Sequence, residues 1–400
     1  MHSAARWGLQ GYVVISDTDG VNAFVATLLG RSMTTRCPAH RRSQVRLNLM
    51  GGPRWVAVYL LLLMAACGSN EVKEQPVSDL PLPPSGYAGL AWLTDGTLVV
   101  ADPGRLTEDV TSRLLFLSEP RTGAYDAVAA KGDGCLAHEY LSPVALANGS
   151  VAFLEMCSVD QPGYLPTEDW FLRRLQGPTD PDFPLLLNDR LDFFPGPFSV
   201  SPSMDRALAS AGDSMCGSLI WVDDGLIEYP DVVIEDEDGE SWNLGSFFRD
   251  TSTNSCTDQG RASWPAWAPD GSNIAFFGSP ESIGVSGQDR LDVPWNLYVI
   301  PPSATKARPI LEDITHARAL SWSPDSRWLA FSGGLDGREG TWLFDTSNNQ
   351  AIAISASEAL GLAWSPAGGE IAATVPIDPD GLSRDLEVTL FDVSGIVEQN

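Results

Sequence analysis

A self-similar segment recurs along the chain and constrains the fold more than any other feature. It is clearest in PAWAPDGSNIAFFG from Pro265, LSWSPDSRWLAFSG from Leu320 and LAWSPAGGEIAATV from Leu362. Looser copies are LAWLTDGTLVVADP from Leu90, VALANGSVAFLEM from Val144 and FSVSPSMDRALASA from Phe198. With Trp92, Ala145, Val200, Trp267, Trp322 and Trp364 as anchors, the spacings are 53, 55, 67, 55 and 42 residues. Each copy is an apolar run, a turn and a second apolar run. Pro-Asp-Gly and Asn-Gly form turns because Pro presets φ and Gly or Asn accepts φ > 0. The flanking runs are rich in the β-branched and aromatic residues that suit strands.

Further strands follow each pair. RLLFLSE, WFLRRL, SLIWVD, NLYVIP, TWLFDT and EVTLFD read as third strands, and ARPILE and QAIAIS as weaker fourth ones. Six units of four strands predict an all-β chain, a six-bladed β-propeller of four-stranded antiparallel blades, with the tryptophans filling space between blades. The last unit lacks an outer strand before the chain ends. A segment before the first repeat, residues 77–82, is expected to supply it, since its prolines suit an edge. The propeller is expected to span residues 87–400.

The Trp-Ser-Pro-Asp…Leu-Ala-Phe signature resembles the repeat of TolB-like (WD40-like) β-propellers. TolB also carries an N-terminal α/β domain, and neither that domain nor the hydrolase domain of prolyl-peptidase relatives is expected in this sequence. The resemblance implies a fold and leaves the activity open, because propellers host many functions.

Upstream, residues 56–66 form an apolar run of eleven residues that ends in small side chains. A spanning helix needs about 20 residues, whereas a secretory h-region needs about 7–15. Met64-Ala65-Ala66-Cys67 resembles the lipobox of bacterial lipoproteins, which implies cleavage before Cys67 and lipid attachment to its thiol. By the same resemblance Gly68, where such proteins can carry Asp, favours the outer membrane. Residues 50–66, with Arg54 as the positive flank, read as a cleaved lipoprotein signal peptide. Residues 1–49 read as an upstream extension outside the fold, and residues 67–86 as a lipidated tether holding the ring-closing strand. The expected location is the bacterial cell envelope, extracytoplasmic, with membrane contact through the N-terminal lipid only.

Charge narrows the partners. The first 66 residues hold seven of the 25 basic and two of the 52 acidic residues, leaving 18 against 50, a net charge of −32. That opposes binding of nucleic acid or anionic lipid and favours cations or basic surfaces. Cys135, Cys157, Cys216 and Cys256 remain beside Cys67, and an even set in an exported chain suggests two disulfides. Nearness in sequence favours Cys135–Cys157 and Cys216–Cys256 among three possible pairings. Zinc on these cysteines fails on spacing, since no Cys-x-x-Cys occurs.

The connections after the second strands are long: residues 102–112, 157–169, 211–217, 278–294, 333–340 and 375–385. Together they carry fifteen carboxylates and four arginines. In a propeller they emerge at one end and the tight hairpins at the other. The loop end is therefore the candidate binding face, represented by Asp289, Asp292, Asp336, Glu339, Asp378 and Asp380, with another envelope protein as the expected partner. The acidic connection 235–261 is expected to join it. No cofactor is expected. EDEDGE and DPDG suggest Ca²⁺ only in composition, because an EF-hand loop centred on Gly239 would need an acid where Ile234 stands. No catalytic residue is assigned: there is no Gly-x-Ser-x-Gly elbow, and His138 and His316 sit just before first strands, where a structural hydrogen bond is expected. The chain is expected not to be an enzyme. The alternative is a metal-dependent six-bladed propeller enzyme of the lactonase or sugar dehydrogenase type.

Overall fold

The structure, a computed structural model, describes residues 72–77, 89–102, 112–129, 137–159, 167–179, 184–191, 195–211, 219–223, 226–228, 233–235, 241–243, 261–279, 294–377 and 386–398. The segments 1–49 and 50–66 and Cys67 lie outside them.

The hairpin of each repeat is built by one local device. In the first repeat the Leu93 N–H donates to Thr97 O and the Gly96 N–H to Leu93 O, closing a tight turn. The same pair of bonds recurs at Leu146, Ser201, Ala268, Ser323 and Ser365. The fourth residue after each anchor takes positive φ: Gly96, Gly149, Met204, Gly271, Ser326 and Gly368. This is the left-handed position that Gly occupies without steric cost. The residue before it explains the Asp or Asn: Asp95, Asn148, Asp270 and Asp325 each accept the N–H two positions on. The serine of Trp-Ser-Pro-Asp works in the same turn, since Ser323 Oγ accepts the Trp328 N–H at 2.8 Å.

These hairpins grow into four-stranded antiparallel sheets. The first repeat pairs Leu90–Trp92, Leu98–Asp102, Arg113–Glu119 and Ala124–Ala129 in order. The second uses Ala137–Ala145, Val151–Val159, Thr167–Leu175 and Leu185–Leu191; the third uses Pro195–Val200, Arg206–Ala211, Leu219–Asp223 and Leu226–Glu228. The fourth and fifth repeats are fused by one 14-residue strand, Pro309–Trp322. Its first half pairs with Trp295–Ile300 as a fourth strand, and its second half pairs with Trp328–Gly334 as the next first strand. Inner strands also share a bulge three residues before the anchor. Ser142, Trp264 and Ala319 have positive φ at or beside register shifts, which bends each strand as it enters its sheet.

The core lies between sheets. Leu114 and Phe116 of the first repeat pack with Tyr140 and Phe153 of the second, whose rings meet edge to face at 4.9 Å. Successive clusters join the second repeat to the third, the third to the fourth, the fourth to the fifth and the fifth to the sixth. The last joins Val388 and Leu390 back to Leu98 and Val100 of the first. Sheets packed side by side in a closed circuit form a β-propeller. The anchor tryptophans bridge neighbours with polar bonds as well as area. Trp322 Nε1 donates to Ala266 O at 2.9 Å and Trp364 Nε1 to Ser321 O at 3.2 Å, each on the preceding sheet.

Two expectations are corrected. The strand completing the last sheet is Lys73–Pro76, paired antiparallel with Leu386–Asp392, and not residues 77–82. All four of its side chains are exposed, so backbone pairing alone places it. Val77 follows with a bond to Val388 O and is buried. The connection after residue 235 does not start at the loop end. Val233–Glu235 pairs with Ser241–Asn243 and, in parallel, with Lys306–Ala307. Lys306–Ala307 lies in the link between third and fourth strands, beside Ile274 and Ile300 at the hairpin end. Residues 244–260 lie outside the described residues.

Candidate functional site

The propeller offers two surfaces of different chemistry. At the hairpin end, the inner strands enclose a cavity of about 450 Å³. Its walls include Trp92, Phe198, Trp264, Trp267, Trp322 and Trp364, and its described lining holds no acid, histidine, lysine or arginine. The hydroxyl of Ser199 in this lining is engaged by the next sheet, accepting the Trp267 N–H at 2.9 Å. Such a surface can hold apolar groups and supplies no proton donor or acceptor of tunable pKa.

The opposite end carries the connections after second and fourth strands. The best described is the one joining Trp328–Gly334 to Thr341–Asp345. It is a short ribbon, closed by reciprocal backbone bonds between Leu335 and Arg338 at 3.0 and 3.1 Å. Asp336 and Gly337 at its tip both take positive φ, as a two-residue hairpin turn requires. Asp336 points to solvent, and Glu339 on the returning arm is exposed as well.

The ribbon returns Glu339 to Thr315 and His316. Thr315 Oγ1 donates to Glu339 Oε1 at 3.1 Å, while Glu339 Oε2 lies 3.6 Å from His316 Nδ1. Glu358, in the link to the sixth repeat, brings Oε1 to 3.7 Å from the same nitrogen. Among the described residues, these three offer ligand atoms within 4.8 Å of one another. Gly334 makes room, because a Cβ there would sit 2.6 Å from Glu339 Oε1. Burial first, and then the facing carboxyl of Glu339, push the Glu358 carboxyl up; the charges of Arg318 and His316 pull it down.

Of the residues expected at the binding face, Asp336 and Glu339 stand on this ribbon, while Asp289, Asp292, Asp378 and Asp380 lie outside the described residues. His316 differs from expectation. At 3.6 and 3.7 Å its Nδ1 is beyond hydrogen-bond range of either carboxylate, so it is not fixed by a hydrogen bond to them. Cys157 lies buried on Val151–Val159 and is disulfide-bonded. Cys135, Cys216 and Cys256 lie outside the described residues, as do the side chain of His138 and residues 212–218.

No protein-family model and no curated protein matches the chain. Among solved structures it is similar to TolB from Acinetobacter baumannii at 12% identity and a TM-score of 0.45, covering 73% of this chain and 63% of that one. It is also similar to a protein assigned as TolB from Agrobacterium tumefaciens (12% identity, TM-score 0.46, 80% and 97% covered). An oligogalacturonate lyase in complex with manganese matches at 11% identity and a TM-score of 0.43, over 81% and 98%. The fold assignment stands on the chain's own strand pairing and inter-sheet packing.

Proposed function

We propose that this chain is a six-bladed propeller, lipid-anchored at Cys67 and extracytoplasmic in the bacterial cell envelope, that binds another envelope protein through its loop end. The observation that carries the reading is the division between the two ends. The hairpin turns are tight and alike, whereas the connections after second strands are long and by sequence hold fifteen carboxylates against four arginines. Clustered like charge raises the local potential and steers a basic partner surface, with strong dependence on salt. The described lining of the cavity at the other end is apolar and aromatic, a surface of different chemistry from the acidic connections. The lipobox-like Met64-Ala65-Ala66-Cys67 supports the anchor, and the bonded Cys157 is compatible with a Cys135–Cys157 bridge beside Cys216–Cys256.

The test is to replace Asp289, Asp292 and Asp336 together by Asn, leaving Glu339 in place, and to measure capture of the partner from native membranes. The expected result is slower association and a flatter salt dependence, with thermal stability unchanged. Unchanged association at low salt would show that the acidic end serves solubility alone.

A further inference from the structure

We propose that His316, Glu339 and Glu358 form a divalent-cation site of the zinc class on the loop end of the fifth repeat. The ligand types are those zinc takes: one imidazole nitrogen and two carboxylate oxygens. The spacing agrees. Metal–ligand bonds of about 2.0–2.2 Å at tetrahedral angles set neighbouring ligand atoms about 3.3–3.6 Å apart. His316 Nδ1 stands 3.6 Å from Glu339 Oε2 and 3.7 Å from Glu358 Oε1, too far for hydrogen bonds and close to that edge length.

The surroundings hold the set in place. Thr315 donates to the other oxygen of Glu339, which turns Oε2 toward the histidine. Gly334 leaves the space that the Glu339 carboxylate occupies. The three ligands come from separate segments: the bulged inner strand, the ribbon after the second strand, and the link to the next sheet. The two carboxylates set two negative charges side by side, which a bound cation offsets. The nearby Arg318 offsets part of that charge without supplying a ligand.

The chemistry separates candidate ions. Ca²⁺ takes six to eight oxygens, and this set offers three ligands, one of them nitrogen. Three protein ligands leave a fourth position for water or an outside donor, as in zinc sites that remain open. The proposal does not depend on a protein partner, so its failure would leave the docking reading standing.

The experiment uses the purified chain after chelator treatment, titrated calorimetrically with Zn²⁺ alone and then with Ca²⁺ alone. The expected result is one Zn²⁺ per chain. His316→Ala and Glu358→Gln should each weaken it at least about tenfold, and Thr315→Val by about tenfold through loss of the orienting bond. Ca²⁺ should bind far more weakly. Co²⁺ in the wild-type chain should give the intense visible bands of a tetrahedral centre, a readout that needs no variant to fold. Absence of Zn²⁺ uptake, uptake unchanged in both ligand variants, or a weak octahedral Co²⁺ spectrum would each overturn the proposal.

Discussion

Replacing Trp322 by Phe tests whether the anchor tryptophans join neighbouring sheets. Trp322 is 6% exposed, and its indole N–H donates to Ala266 O on the preceding sheet at 2.9 Å. Phenylalanine keeps most of the ring but removes the donor and opens a void. A typical hydrogen bond is worth about 1 kcal/mol net, and a buried acceptor left unmatched costs up to about 3. Truncating a buried Trp or Phe to Ala costs about 3–5 kcal/mol; the smaller Trp-to-Phe change is about a third of that. The expected loss is about 2–3 kcal/mol. Trp92→Phe is the control. Its indole donates to Gly96 O, within its own hairpin, from a half-buried position, so about 1 kcal/mol is expected. Equilibrium denaturation of both variants measures the difference. If Trp322→Phe costs no more than Trp92→Phe, the bond between sheets contributes nothing and the reasoning is wrong.

Gly96→Ala should destabilise by about 1 kcal/mol from backbone strain alone, because φ there is 91° and no atom lies within 4 Å of the added carbon; the same denaturation assay reads it. Asp345, whose side chain is fully buried, is penalised by burial, yet hydrogen bonds from Arg327 and Ser347 outweigh that and hold its carboxyl below the usual range. A lowered carboxyl stabilises the fold above the unfolded-state pKa of about 4 and loses that contribution as pH falls. Asp345→Asn should therefore flatten the acid limb of a stability–pH profile as well as lower stability at neutral pH. Cys67→Ser should abolish palmitate labelling and release the chain from membranes, and equal labelling of the variant would rule out the anchor.

The inner strands and hairpins were legible because their signals are local. Asp270-Gly271 and the Trp-Ser-Pro-Asp run encode side-chain and backbone bonds only a few residues apart. Outer strands carry less information. Ala124–Ala129 shows four exposed residues before buried Val128, with no alternation to read. Lys73–Pro76 is wholly exposed and has no apolar pattern to read, whereas the prolines just beyond it pointed to an edge strand at residues 77–82. The fusion of two repeats in Pro309–Trp322 was hidden because a proline at its start and three residues with positive φ interrupt the strand pattern. The His316 cluster depends on register: Thr315 pairs with Gly334 across the sheet, which sets the ribbon bearing Glu339 against His316. The topology held the missing signal. A residue just before a first strand, one at the end of a second-strand connection and one just before the next first strand all fall at the same end of a propeller.

The most direct test of the docking account is site-specific photocrosslinking from each end of the propeller in intact cells. A photoreactive residue is placed at exposed Asp336 on the loop end, or at exposed Asp325 on a hairpin turn. The account predicts a discrete adduct with one envelope protein from position 336 that weakens as salt rises, and none from position 325. An adduct from position 325 with none from position 336 would contradict it and move the binding site to the hairpin end.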